Sequence, residues 1–398
     1  MKDIRFKIQL GEQIIMYLRK KKLYLPLIII NLFINNALWA QNLTIPSPPI
    51  IGAKSYLVID STTDFEIAAL DPDLRLPPAS ITKLMTAYTV FHALKNNQIS
   101  LEDEVIVSEK AWRAEGSRMF IEVGKKVSVN NLLMGMIVQS GNDASIALAE
   151  HIAGSESLFS DLMNQYAYQL NMINSSFRNA SGLPDEAHYS TANDLAILAK
   201  AIIQEFPEYY QWYSTKEFTF NNIKQQNRNS LLWRDPSVDG IKTGSTNDAG
   251  YSLISSAKRD DMRIISVVLG TASSKARIDG SQAMINYGYR FYETKTLLKA
   301  NQEIISAKTW KTEKESISLG IEGDIRMTLP RGNFNNVKIE KDIPNQIIGA
   351  IKEGQNIGNI NIKLNDKTLK TISLISLEDN PRGSFWKQIK DTIQLWFE

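Results

Sequence analysis

The chain has 398 residues and a formal net charge of only +2, so it lacks the basic footprint of a nucleic-acid binder. Its 43% hydrophobic content is that of a folded globular protein, and its length allows more than one domain. Cysteine is absent, which excludes disulfides, thiolate nucleophiles and cysteine-bound zinc; the three histidines, His92, His151 and His188, have no i, i+4 partner for a metal site, so no cofactor is expected.

The N-terminal region reads as an address. A basic cluster, Arg19 to Lys22, precedes an apolar run from Leu23 to Ile34, then Ala37-Leu38-Trp39-Ala40. Ala40 is the small residue expected before a cleavage site, with Gln41 as the mature start. The apolar run is shorter than the roughly 20 residues of a bilayer span, so cleavage is expected over an uncleaved anchor. The first fifteen residues do not fit a leader, and Met16 stands as an alternative start. Residues 1–40 are assigned to this export signal.

A proline-rich lead-in, "NLTIPSPPIIGAK", is followed by "SYLVIDSTTDFEIAAL", two strands joined at Asp60 to Asp64. In "PPASITKLMTAYTVF", Ile81, Leu84, Met85 and Tyr88 recur at i, i+3, i+4 and i+7. That spacing predicts a helix, and the want of a polar face predicts burial. "VSVNNLLMGMIVQSGNDASIALAEHIAG" holds two helical runs broken at Ser140-Gly141-Asn142. "SESLFSDLMNQYAYQLN" and "STANDLAILAKAIIQEFP" are further helices, closed by turn signals and by Pro207. Beyond Pro207, "KEFTFNN", "VDGIKTG", "AGYSLISSAK" and "RIISVVLG" read as strands, and "SSKARIDGSQAMINYGYRFYE" as a last helix. This is an α+β pattern: an antiparallel sheet with helices and a helical subdomain, over residues 41–294. Short alternating runs over 295–380 predict a small all-β domain. In the tail, 381–398, Phe385, Ile389, Thr392, Ile393 and Trp396 lie near one helical face beside Arg382, Lys387 and Lys390. Such a helix suits a membrane interface but is too short to span a bilayer; the alternative is a terminal helix docked on the β domain.

Ser-x-x-Lys occurs three times, as Ser80/Lys83, Ser255/Lys258 and Ser384/Lys387. Ser255 lies in a strand, where i and i+3 face opposite ways. Ser384 lies on the tail helix. Only Ser80 opens a buried helix that brings Lys83 to the same face one turn later. It is either a capped helix start with a solvated lysine, or a nucleophile beside its base. A serine hydroxyl needs a base, and a lysine is one only when neutral, as burial and a neighbouring cation, here Lys242, would make it. In "VQSGND", Ser140 and Asn142 are two apart; an extended turn would project both side chains to one side. In "VDGIKTGSTNDAGY", Lys242 and Thr243 can grip a carboxylate, and Gly244 lets another backbone approach the strand. No G-x-S-x-G elbow occurs.

Together and in this order, S-x-x-K, Ser-x-Asn and K-T-G are the signature of penicillin-binding proteins and class A β-lactamases. The chain resembles the low-molecular-mass penicillin-binding proteins, the serine-type D-alanyl-D-alanine carboxypeptidases. "SGND", "FRNASGLPDEAHYSTANDLA" and "RNSLLWRDPSVDGIKTGSTNDAGYSLISSA" carry the likeness, with the β domain and amphipathic tail. The resemblance implies Ser80 as the acylated nucleophile, Lys83 as base, and Ser140 and Asn142 lining the cleft. It implies that Lys242 and Thr243 bind the substrate carboxylate, with Gly244 and Ser245 in the same strand end. Backbone N–H groups of Ser80 and Ser245 would form the oxyanion hole, with Arg228 and Arg277 near the substrate. Where the family often has histidine, this chain has Ser245. His188 is expected to make a structural hydrogen bond. The implied partners are peptidoglycan stem peptides ending in D-Ala-D-Ala, β-lactams as covalent inhibitors, and a membrane surface through the tail helix. The implied location is the periplasm, on the outer face of the cytoplasmic membrane. A β-lactamase would need a deacylating glutamate; Glu205 and Glu208 only flank Pro207 at a helix end. A non-catalytic wall-binding protein is the remaining alternative.

Overall fold

The computed structural model describes residues 45–397; the export signal at 1–40, its cleavage after Ala40 and the alternative start at Met16 lie outside the described residues. Strands β1 (Ser55–Asp60) and β2 (Phe65–Leu70) form the first hairpin. A 3-10 turn, Ala79–Thr82, leads into helix α1 (Lys83–Lys95). Leu84 to Phe91 are all buried, as expected of a helix without a polar face. The helical part continues with α2 (Glu109–Trp112), α3 (Val129–Met134), α4 (Asn142–Ala153), α5 (Glu156–Gln169) and α6 (Ala192–Glu205). A three-residue pair, β3 (Glu104–Ile106) with β4 (Lys126–Ser128), flanks α2, and β5 (Glu217–Phe220) pairs with β6 (Ile223–Gln226). Of these four strands the sequence indicates only β5: the two of the first pair have three residues each, and β6, IKQQ, has a single apolar residue and no alternation.

The main sheet has the order β2-β1-β9-β8-β7, with β7 (Val238–Thr246), β8 (Gly250–Arg259) and β9 (Met262–Thr271), all antiparallel. Consecutive residues of β8 and β9 are buried, so both faces are covered. Helix α7 (Ser274–Phe291) packs across β8, β9 and β1, and α6 also packs on β1, β8 and β9. The strand β7 is left at the sheet edge, beside the turn that carries Ser80.

The α7 helix ends at Phe291 and strand β10 (Tyr292–Leu298) begins at once. The following strands are β11 (Ile305–Trp310), β12 (Ser316–Gly320), β13 (Ile325–Pro330), β14 (Val337–Asp342), β15 (Ile347–Ile348), β16 (Asn356–Leu364) and β17 (Lys367–Ser376). Six of the eight form one sheet, around a core that includes Ile317, Leu319, Ile360, Ile362 and Leu374. The other two, β10 and β13, pair with each other and place Thr294 opposite Thr328. Both hydroxyls donate to the fully buried carboxylate of Asp60 at the end of β1. Thr63 Oγ1 and the Thr62 N–H donate to the same carboxylate. A charge-bearing group without water is tolerated because its lone pairs are occupied, and here they are occupied from both domains.

The tail forms helix α8 (Phe385–Gln394), capped by Ser384, whose Oγ accepts from the Lys387 N–H. The third Ser-x-x-Lys is therefore a helix cap. Asp391 on α8 is buried and accepts the Lys311 N–H at 2.6 Å, which docks the helix on the β domain by a polar side. Phe385, Trp386, Ile389, Ile393, Trp396 and Phe397 stay exposed.

Asp60→Ala would strip the acceptor from three hydroxyls and one N–H. The expected loss is about 3 kcal/mol, seen as a lower urea midpoint, with the 292–376 segment losing hydrogen-exchange protection first.

Candidate active site

The Ser80 turn is set by strain and close approach. Pro78 precedes Ala79, whose φ of 50° lies in the left-handed region unfavourable for a residue with a Cβ. Gly182, with φ of 84°, packs on this turn, and a Cβ there would fall 1.8 Å from the Ala79 carbonyl oxygen. Gly244 on β7 approaches from the other side: a Cβ would lie 2.8 Å from the Pro78 carbonyl oxygen. Two glycines thus let two backbones close on the turn.

Lys83 is 1% exposed, and its Nζ has three neighbours. Ser80 Oγ is at 3.0 Å, Asn142 Oδ1 at 2.6 Å and the Ser181 carbonyl oxygen at 2.6 Å. Asn142 Nδ2 donates to the Glu115 carbonyl at 2.6 Å, which fixes Oδ1 toward the lysine. Burial lowers the Lys83 pKa to about 7, against the opposing pull of Asp143 and Glu156. A neutral amine has two N–H groups and one lone pair. The two shorter contacts are to oxygens that only accept, so they take both N–H groups. The lone pair is left for the Ser80 hydroxyl.

Ser140 ends a π-helical turn, Gly135–Gln139, and adopts a left-handed φ of 66°. The stretch is not the extended turn expected from the sequence, because Asn142 already begins α4. The side chains still converge on the cleft, each with its own lysine. Lys242 Nζ donates to Ser140 Oγ at 2.8 Å, while Asn142 holds Lys83. Lys242 is also buried, and its pKa is pushed well below the usual lysine value by burial first, then by Lys83, Arg277 and Arg228. The repulsion between the two lysine charges is mutual, so a proton held on Lys242 disfavours one on Lys83.

A cleft of about 350 Å³ lies over these groups, lined by Ser80, Ser140, Asn142, Thr243, Gly244, Ser245, Arg228 and Arg277, among others. Arg277 donates to the Gly244 and Ser252 carbonyls, with Nε buried and unpartnered, and Arg228 reaches Ser117 Oγ at 3.5 Å. Neither arginine is in an ion pair among the described residues. His188 is held under the turn, its Nε2 2.9 Å from Thr82 Oγ1. Glu205 accepts from the Tyr88 hydroxyl and is not among the cleft-lining residues.

Several groups have no motif to announce them. The Ser181 and Glu115 carbonyls are backbone atoms. Asp143, directly after "SGN", is buried and accepts from the N–H groups of Met119, Phe120, Ile121 and Ala144. It ties the 115–121 loop to the start of α4. An acidic residue at a helix N-terminus was the one visible sign of it. Among the described residues, no group of three or more His, Asp or Glu is placed to hold a metal ion.

Residues 42–273 match the family described as D-alanyl-D-alanine carboxypeptidase, and residues 292–382 match that described as penicillin-binding protein 5, C-terminal domain. D-alanyl-D-alanine carboxypeptidase DacC of Escherichia coli K12 is 40% identical over 357 residues, covering 88% of this chain and 89% of the relative. The crystal structure of penicillin-binding protein 5 from Haemophilus influenzae is 40% identical, with a TM-score of 0.77, covering 85% of this chain and all of that one. Penicillin-binding protein D2 from Listeria monocytogenes in the ampicillin-bound form is 29% identical, with a TM-score of 0.57, over 61% of this chain and all of that one. With Ser80 beside a buried lysine and both domains matched, this chain belongs to the D-alanyl-D-alanine carboxypeptidase family.

Proposed function

We propose that the protein removes the terminal D-alanine from peptidoglycan stem peptides through an acyl-enzyme on Ser80, and that β-lactams acylate the same oxygen. The observation that carries this is the Lys83 amine, buried, with a lone pair free only toward Ser80 Oγ.

The steps follow from that geometry. The substrate carboxylate enters beside Lys242, Thr243, Arg228 and Arg277. An anion there restores the proton on Lys242, and the positive charge so fixed favours the neutral form of Lys83. Lys83 takes the Ser80 proton as Oγ bonds to the carbonyl carbon. The oxyanion is held by the backbone N–H groups of Ser80 and Ser245. Lys83 then gives that proton to the leaving nitrogen and is neutral again; the C–N bond breaks and D-alanine departs. Water, deprotonated by Lys83, adds to the ester carbonyl, and the proton returns from Lys83 to Ser80 Oγ as the C–O bond breaks. The order Lys242, Thr243, Ser245, Thr246 along β7 sends the upstream peptide past Thr246. A second cavity of about 500 Å³ adjoins there, sharing Gly182, Leu183 and Thr246 with the cleft.

The exported, periplasmic location and attachment to the outer face of the cytoplasmic membrane belong to the same reading. The exposed aromatic side of α8 supports it, and among the described residues no helix is long and apolar enough to cross a membrane. The work of the enzyme there would be wall maturation and control of cell shape.

Intact mass spectrometry should show one β-lactam adduct on the protein and none on Ser80→Ala, together with D-alanine release from a diacetyl-Lys-D-Ala-D-Ala peptide by the former only. Failure of the intact protein to take up label would end this reading. Because the base must be neutral, kcat/KM should fall as pH drops through about 7, the Lys83 pKa. The mature chain should float with lipid vesicles, and Trp386→Ser with Trp396→Ser should abolish flotation while leaving acylation unchanged.

A further inference from the structure

Glu156 lies in the first turn of α5, outside all three motifs, and is only 9% exposed. Its Oε1 accepts the Ala180 N–H at 3.0 Å. Its Oε2 lies 2.8 Å from Nζ of Lys110 on α2, a half-exposed lysine. Ala180 directly precedes Ser181, whose carbonyl takes one N–H of Lys83. The Ala180 carbonyl in turn accepts from Thr86 Oγ1, one turn beyond Lys83 on α1. The Ala180 residue is therefore pinned at both its polar groups, to α1 by one and to Glu156 by the other.

We propose that Glu156 is a positioning residue for the acylation step, fixing the Ala180–Ser181 segment against Lys83 while keeping a negative charge behind the amine. The proposal rests on Lys83 as the base. The charged groups facing that amine are Asp143 at the start of α4, Glu156 on α5 and Lys242 on β7. His188, beneath Thr82, is kept neutral by burial, its pKa lowered to about 4. Burial lowers the proton affinity of Lys83, and the two carboxylates oppose that fall. Asp143 also carries a loop on three N–H groups, so Glu156 is the carboxylate whose charge can be removed with less disturbance.

The test is the pH profile of Ser80 acylation by a β-lactam, followed by intact mass. Glu156→Gln keeps an acceptor for the Ala180 N–H and removes the charge. Its acid limb should move to lower pH by roughly 0.5 unit or more. Glu156→Asp keeps the charge on a shorter arm, and should keep the wild-type limb with a lower plateau. Lys110→Gln breaks the ion pair but leaves Glu156 charged, and should not lower the limb. An unmoved limb in Glu156→Gln, or an equal drop in Lys110→Gln, would overturn the proposal. A wild-type profile with no acid limb near neutrality would remove the Lys83 assignment along with it.

Discussion

The structure is organised around an amine that has been taken out of water. A buried lysine is costly as a cation and awkward as a neutral base, since its N–H groups still need acceptors. Asn142 Oδ1 and the Ser181 carbonyl supply them, and what remains is a lone pair facing Ser80. Each acceptor is itself held. The Asn142 amide is tied to the Glu115 carbonyl, and the Ser181 segment to Thr86 and Glu156. The walls of the cleft are thus positioned by the need to satisfy one nitrogen.

Two strained backbone positions serve the same requirement. Ser140 and Ala79 are in the left-handed region without being glycine, and Ser140 follows a π-helical turn. Such strain persists only where surrounding contacts over-determine it. Here the contacts are Lys242 on Ser140, and the close packing of Gly182 and Gly244 on the Ala79–Ser80 turn. The edge position of β7 matters equally. A central strand would have both sides paired, whereas this edge leaves one side open to the cleft.

Away from the cleft, a buried carboxylate joins the two domains. Asp60 ends the strand that hydrogen-bonds to β9, and collects hydroxyls from Thr294 and Thr328 on the β domain. The β domain is held to the sheet by a polar knot with a fixed geometry. The tail helix repeats the device on a smaller scale: Asp391 docks its polar side, and the aromatic side stays outward.

The sequence alone carried the three motifs, the α+β pattern, the β domain and the amphipathic tail, because these are local in composition or fixed in spacing. It could also rank three Ser-x-x-Lys matches by the elements they sit on. It could not show that Ser140 serves Lys242 while Asn142 serves Lys83, since that pairing joins residues about 60 to 100 apart. It missed the Ser181 and Glu115 carbonyls, which no residue type advertises. It misread the SGN stretch as extended, because a π-helical turn followed directly by a helix start leaves no periodic trace. The charges around Lys83 were likewise a tertiary decision: Asp143 and Glu156 reach it only because α4 and α5 pack beside α1. Chemistry was legible in the chain, but the protonation that would make it work is set by burial and by distance through space.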